Sequence, residues 1–130
     1  MKDINVGKLG EDIAKEYLLK NGYILLESNY HSRYGEIDII CENEKYIVFV
    51  EVKSRKKGTE YHGIEAVDRN KRMKILKTSF DYLLKNPTEK QPRFDVIEIE
   101  FPSRKITYYE NAFSGDEYNE FFWFTLWHIK

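Results

Sequence analysis

Two short apolar runs, separated by a few polar residues, constrain the fold of this chain more than any other feature. The second run occupies residues 46–50 (YIVFV) and leads directly into EVK at residues 51–53, whereas the first occupies residues 35–40 (GEIDII). β-Branched and aromatic residues on both sides of the polar stretch predict two strands joined in an antiparallel hairpin. Because side chains two residues apart on a strand share a face, we expect Glu51 and Lys53 on the same surface, roughly 7 Å apart.

This hairpin also brings an aspartate to that surface. With a turn centred on residues 43 and 44, Asp38 lies opposite Phe49. Asp38 is then diagonal to Glu51, roughly 7 to 8 Å away, and the two carboxylates can share one divalent cation beside the Lys53 ammonium group. A metal that activates water and a lysine that neutralises phosphate indicate phosphodiester hydrolysis. Acid-x-Lys on a strand is also common as a surface ion pair or a solvated sheet edge, so the tripeptide alone leaves both interpretations open.

A third carboxylate lies on the first predicted helix. Residues 6–20 place their apolar side chains on one stripe at helical spacing, with charged side chains opposite, and Gly22 follows the helix end. Glu11 falls at the edge of the apolar stripe, whereas Asp12 faces solvent. Glu11 is therefore a candidate site residue, although a carboxylate at such a boundary commonly has only a structural role.

The second half of the chain predicts one helix and two strands. Residues 63–85 carry apolar side chains at helical spacing and end before Pro87. Residues 93–101 and 104–110 are typical of strands joined by a tight turn. Asp95 is expected to order the end of the sheet through hydrogen bonds. The predicted fold is a mixed α/β domain with a central β-sheet flanked by α-helices.

Several short motifs, taken in their order along the chain, resemble the YraN family of small bacterial proteins. They are GKLGE at residues 7–11, GEID at 35–38, VFVEVKSR at 48–55, RFDV at 93–96 and NAF at 111–113. That family is similar in turn to the restriction-endonuclease-like superfamily, particularly to archaeal Holliday-junction resolvases. The superfamily pattern has an acid on the first helix, an aspartate on the second strand and Glu-x-Lys on the third. These positions are occupied here by Glu11, Asp38, Glu51 and Lys53.

The resemblance implies a restriction-endonuclease-like (PD-(D/E)xK) core that uses Mg²⁺ or Mn²⁺. Asp38 and Glu51 would bind the metal directly, with the Val52 carbonyl as a third ligand. Lys53 would assist the attacking water or the phosphate, and Glu11 would support a second cation or a water. The expected function is resolvase-like DNA endonuclease activity, and resolvases that cut paired strands act as homodimers. The alternative is a non-catalytic scaffold that retains the nuclease fold and binds nucleic acid or protein.

A basic stretch begins where the Glu-x-Lys strand ends. Residues 53–77 contain nine basic residues against three acidic ones, whereas residues 1–52 contain six basic and ten acidic residues. Basic side chains that hold a phosphate backbone beside carboxylates that hold a cation suit a metal nuclease, although charged stretches are often only solvated faces. The expected partner is DNA or structured nucleic acid. The candidate phosphate contacts lie in a polar loop at residues 54–62 and on the second helix, and are Arg55, Lys56, Lys57, Arg69, Lys71, Arg72 and Lys74.

Composition favours one compact domain. The chain has 130 residues, of which 42% are hydrophobic and 15% aromatic, and its net charge is -1. No apolar run approaches the roughly 20 residues needed to cross a bilayer, and the first residues do not resemble a signal peptide, so a cytoplasmic protein is expected. We assign the nuclease-like domain to residues 1–113. Residues 114–130 form an aromatic C-terminal extension, expected to dock on the domain or to lie at a dimer interface.

Overall fold

A five-stranded mixed sheet with a helix on each face forms the core of the protein. The computed structural model describes residues 5–58 and 67–114. The elements in these ranges are α1 (Val6–Lys20), β1 (Ile24–Ser32), β2 (Gly35–Glu42), β3 (Tyr46–Lys56), α2 (Arg69–Lys85), β4 (Gln91–Phe101) and β5 (Lys105–Phe113). The strand order is β1-β2-β3-β4-β5, in which β3 and β4 are parallel and the other neighbours are antiparallel. The predicted mixed α/β fold is confirmed.

The central strand β3 is buried on both faces, which explains its continuous apolar run. Val48 and Val50 pack with Ala14 and Leu18 of α1 on one face. Phe49 packs on the opposite face, in the cluster that contains the buried side of α2. Because β3 lies in the middle of both clusters, the residues that follow its apolar run are held in a fixed position relative to both helices.

The bounds of α1 are as predicted, but α2 and β3 differ from the prediction. The Asp68 side chain caps α2 by accepting a hydrogen bond of 2.8 Å from the Lys71 amide, so the helix begins at Arg69 rather than at residue 63. Residues 59–66 lie outside the described ranges. Strand β3 continues to Lys56, which pairs with Phe101 of β4, so residues 54–56 belong to the sheet and not to the predicted loop.

The register of the β2–β3 hairpin also differs from the prediction. Ile40, not Asp38, lies opposite Phe49, and the last pair of the ladder is Ile39 with Val50. The Asn43 side chain sets this register, because its Oδ1 accepts hydrogen bonds from the two amides at residues 45 and 46, at 2.9 and 2.8 Å. The turn is therefore centred one residue further along the chain. A shift of two residues in the pairing leaves every side chain on its predicted face.

The predicted docking of the aromatic C-terminal extension concerns residues that lie almost wholly outside the described ranges. Strand β5 ends at Phe113, and residues 115–130 of the aromatic extension lie outside the described ranges. Neither α1 nor α2 is long and apolar enough to cross a membrane.

Candidate metal and nucleic-acid site

Asp38 and Glu51 meet where the β2–β3 ladder ends. Asp38 Oδ2 accepts a hydrogen bond of 2.8 Å from the Val52 amide, and the Asp38 side chain is within hydrogen-bonding reach of the Glu51 carboxyl. Glu51 is only 6% exposed. Asp38 precedes Ile39 and Glu51 follows Val50, so the two residues lie opposite each other just beyond the last pair of the ladder. The two carboxyl groups are therefore in direct contact rather than diagonal as predicted.

The contact between the two carboxyl groups changes the ionisation of Glu51. Burial, the hydrogen bond with Asp38 and the negative charge of Asp38 together raise the pKa of Glu51 to about 8. Two carboxylates in one desolvated place cannot both ionise cheaply. At neutral pH the metal-free pair therefore retains one proton.

Asn29 on β1 belongs to the same site and was missed by sequence reasoning. The β1–β2 register places it opposite Asp38, between the pairs Ser28–Ile39 and Tyr30–Ile37. Its φ of 52° is left-handed, which an asparagine tolerates better than most residues. Its side chain hydrogen-bonds with Glu11. The available signal was the asparagine itself, a residue type that is depleted in strands.

Close packing of α1 on β3 brings Glu11 to the carboxylate pair. A Cβ atom at Gly10 would lie 2.0 Å from Ser54 Oγ, so only glycine allows this approach without displacing the serine. Ser54 Oγ also donates to the Val6 carbonyl over 3.3 Å. Burial, and next the charge of Asp38, raise the pKa of the half-buried Glu11, while the hydrogen bond from Asn29 opposes this rise. Glu11 therefore lies within range of the Asp38 charge and is joined to the site through Asn29.

Two lysines from different elements complete the site. Lys71 Nζ lies 3.3 Å from Glu51 Oε2, held there because the first turn of α2 is capped by Asp68. The Lys53 and Lys71 side chains contact each other, and burial together with this contact lowers the pKa of Lys53. The two ammonium groups are therefore held close together next to the carboxyl pair. Lys71, which was expected only as a phosphate contact, belongs to the centre of the site.

The predicted basic residues divide into two groups. Arg55 is 15% exposed and its guanidinium lies 3.1 Å from Glu98 and 2.9 Å from Glu100 on β4. Arg72 donates to the Val67 carbonyl over 2.8 Å, and its guanidinium lies over the Phe113 ring. These two arginines face the protein. The exposed members are Lys56, Lys57, Arg69 and Lys74.

The chemistry of these donors fits a hard cation with few protein ligands. Within residues 5–58 and 67–114, no group of three or more His, Cys, Asp or Glu side chains is arranged to hold a metal ion. The contacting carboxyls of Asp38 and Glu51 form a pair instead, next to the Val52 peptide. Mg²⁺ commonly binds one or two carboxylates and completes its shell with water and substrate phosphate. The donor set is therefore compatible with the predicted Mg²⁺ or Mn²⁺.

Comparison with known proteins agrees with the resemblance carried by the motifs. The model described as Uncharacterised protein family UPF0102 matches residues 10–99. A UPF0102 protein of Legionella pneumophila strain Philadelphia 1 is 44% identical over 111 residues, covering 84% of this chain and 94% of the relative. A UPF0102 protein of Persephonella marina is 49% identical over 113 residues, covering 85% of this chain and 94% of the relative. A UPF0102 protein of Clostridioides difficile is 42% identical over 114 residues, covering 87% of this chain and 100% of the relative. The chain therefore belongs to the UPF0102 (YraN) family.

Replacement of Glu51 by Gln is expected to stabilise the metal-free protein, and more strongly at high pH. The folded chain keeps a proton on Glu51 that the unfolded chain loses above the ordinary pKa of 4.5, so wild-type stability falls as pH rises from 4.5 to about 8. We expect Glu51→Gln to raise the free energy of unfolding by roughly 1 to 3 kcal/mol near pH 8 and by little near pH 4.5. Loss of the Lys71 ion pair reduces this gain. Urea unfolding in EDTA at both pH values measures it.

The exposed Glu36, on the same strand as Asp38, offers the matched control. Glu36→Gln removes the same charge from the surface and is expected to show no such pH-dependent gain. A gain of equal size at both pH values, or a loss for Glu51→Gln, would contradict the shared proton.

Proposed function

We propose that this protein is a metal-dependent endonuclease that binds DNA or structured nucleic acid and hydrolyses phosphodiester bonds on a restriction-endonuclease-like (PD-(D/E)xK) core. The observation that carries the proposal is the direct contact between the Asp38 and Glu51 carboxyls, with Lys53 and Glu11 beside them. Family membership supports a common architecture among the relatives, and the chemistry of the site supports the activity.

The side chains of the site have separate roles in this proposal. Asp38 and Glu51 would hold Mg²⁺ or Mn²⁺, with the Val52 carbonyl as a further ligand. When bound, the metal would supply an activated water and neutralise charge on the phosphate. Lys53 would orient the water or neutralise charge on the phosphate. Glu11 would hold a second cation or a water.

The ionisation of the carboxyl pair also favours a cation. A buried carboxylate pair is unfavourable without compensation, and Lys71 compensates only one side, through Glu51. A divalent cation held by Asp38 and Glu51 would offset the repulsion between their carboxylates and so favour loss of the shared proton. Sites that carry out chemistry often retain such locally destabilising arrangements.

The test uses labelled single-stranded, duplex, flap and four-way-junction DNA, each incubated in Mg²⁺, in Mn²⁺ and in EDTA. We expect metal-dependent cleavage of at least one substrate, lowered at least roughly 100-fold in Lys53→Ala because one positioned charge on the developing transition state contributes about that much. Lys45→Ala is the matched control, since Lys45 is exposed at the β2–β3 turn, at the other end of the hairpin. Binding without cleavage in every metal would support the non-catalytic scaffold instead.

A further inference from the structure

The β1–β2 turn presents an arginine and a tyrosine next to α2. Arg33 Nη2 donates to Tyr34 Oη over 2.7 Å, and the Lys77 ammonium of α2 lies 5.8 Å from the centre of the same tyrosine ring. Ser32 Oγ lies 3.0 Å from Thr78 Oγ1 and accepts a hydrogen bond of 3.0 Å from the Tyr34 amide. The turn is therefore fixed on α2. Tyr34 contacts both cations, Arg33 through its hydroxyl and Lys77 through its ring.

A row of lysines on α2 connects this turn with the carboxylate site. Lys71, Lys74 and Lys77 follow one another every three residues, so they lie along one side of the helix and span about 9 Å. Lys71 contacts Glu51 at one end of the row. A Cβ atom at Gly35 would lie 3.4 Å from Lys74 Cβ, and Lys77 reaches Tyr34 at the other end.

The cations at the outer end of this row have no carboxylate partner in the part of the chain that the structure describes. Arg33, Lys74 and Lys77 are exposed, and no carboxylate of the described residues lies within 4.0 Å of their charged groups. The nearby Asp81 is already engaged, since it accepts from Tyr30 Oη over 2.7 Å and lies 3.4 Å from Lys85 Nζ. Beyond Lys71, which pairs with Glu51, the row continues as exposed cations without a carboxylate partner among residues 5–58 and 67–114. Such a row is suited to a polyanion with regularly spaced charges.

We propose that Lys71, Lys74, Lys77, Arg33 and Tyr34 form a phosphate-backbone track along which one strand of a nucleic acid leaves the carboxylate site. Asp38 lies four residue steps along the chain from Tyr34, which corresponds to roughly 13 Å of extended strand. That length matches about four steps of one DNA strand at 3.4 Å per step. The inference rests on the proposed function and extends it, because it gives the substrate a direction: the strand crosses α2 and ends at the β1–β2 turn.

The test measures equilibrium binding in EDTA, so that cleavage plays no part. A short fluorescein-labelled duplex and a labelled four-way junction are titrated by anisotropy over a range of salt concentrations. Arg33→Gln/Lys77→Gln is expected to bind at least about 10-fold more weakly and to lower the slope of log affinity against log salt by about 2, since each phosphate contact contributes roughly 0.9. Arg33→Lys/Lys77→Arg retains both charges and is expected to keep wild-type affinity.

The charge-matched control is Lys20→Gln/Lys45→Gln, which removes two exposed lysines away from the track and should stay within about twofold of the wild type. If Arg33→Gln/Lys77→Gln binds like this control while the wild type also binds, the proposal of a phosphate-backbone track is wrong, and the proposed nuclease function is unaffected. If the track variants lose affinity but no metal supports cleavage, the track stands and the catalytic proposal fails. Absence of wild-type binding to any nucleic acid would overturn both.

Discussion

Asp38→Asn and Glu51→Gln are each expected to abolish detectable binding of Mg²⁺ or Mn²⁺ and to lower metal-dependent cleavage by at least roughly 100- to 1000-fold. Several kcal/mol of charge stabilisation by a bound cation correspond to a loss of that size. Either substitution removes one of the two carboxyl groups that are in contact at the site among the described residues. Isothermal calorimetry measures metal binding, and the labelled-DNA assay measures cleavage.

The same two measurements on Glu36→Gln separate a ligand effect from a general loss of negative charge. Glu36 lies two residues from Asp38 on β2 and is exposed. It should bind the metal and cleave DNA within about twofold of the wild type, because an exposed charge contributes little. Wild-type metal affinity in Asp38→Asn and Glu51→Gln would remove this pair from the mechanism.

The position of Glu11 shows how much of the site the sequence could predict. The helical stripe of residues 6–20 put Glu11 at the edge of the apolar face, and α1 has those bounds with Glu11 half-buried. Amphipathic periodicity reports directly which face of a helix is covered. It carried no information about how closely α1 approaches β3, which depends on Gly10 and Ser54 being in contact.

The hairpin register shows where such reasoning fails. Alternating side chains placed Asp38 and Glu51 on one face, but the pairing was wrong by two residues because Asn43 forms the turn through its side chain. Side chains alternate between the faces with a period of two residues, so their pattern cannot reveal a register shift of two residues. The correct register moves the two carboxyls from a diagonal relation into contact, and this contact is what raises the pKa of Glu51.

Lys71 and Arg55 illustrate the dependence of charged side chains on tertiary packing. Both belonged to one basic stretch in the sequence, yet Lys71 contacts the Glu51 carboxylate and Arg55 is held by two glutamates of β4. Residues 53 and 98, or 55 and 100, become neighbours only through the parallel β3–β4 pairing. A local charge count cannot represent pairing between strands separated by a helix.

Asp95→Ala is expected to lower the free energy of unfolding by about 3 to 5 kcal/mol, the largest stability loss that we predict for this chain. Asp95 is fully buried and accepts hydrogen bonds of 3.0 and 2.8 Å from Arg93. It also accepts from Tyr108 Oη and, over 2.9 Å, from the Asn111 amide. The expected hydrogen bonds of Asp95 are present, but they tie the middle of β4 to β5 rather than ordering the end of the sheet. Removal of Asp95 would leave the buried Arg93 guanidinium with only the exposed Glu110 carboxylate as a counter-charge among the described residues.

The two contacts with β5 explain why the loss should exceed that of a simple ion pair. The β4–β5 register shifts between Phe94 and Val96, and Asn111 has a φ of 52°. Asp95 lies at this irregularity and accepts the amide of the strained residue. Without its carboxylate, the bulge would lose a hydrogen bond that the ladder cannot replace.

A second variant separates the buried charge from the lost hydrogen bonds. Arg93→Met/Asp95→Leu removes both charges and is expected to recover about half of the loss, because the amide and hydroxyl on β5 still lack an acceptor. Glu110→Gln is the control, since this 66% exposed carboxylate lies 3.7 Å from Arg93 and should contribute less than about 0.5 kcal/mol. Urea unfolding in EDTA gives all three values.

The outcome also tests whether the fold and the carboxylate site are energetically separate. Asp95 pairs with Val50, one residue before Glu51, but its side chain lies on the α1 face whereas Glu51 meets Lys71 of α2. Under conditions in which it remains folded, the Asp95→Ala protein should therefore bind metal like the wild type. A loss below roughly 1 kcal/mol would mean that Arg93 finds sufficient compensation from its remaining partners, which include Tyr23, the Tyr46 ring and Glu110. Weakened metal binding in a folded Asp95→Ala protein would mean that the buried network positions β3 itself, and so the end of the strand that carries Glu51.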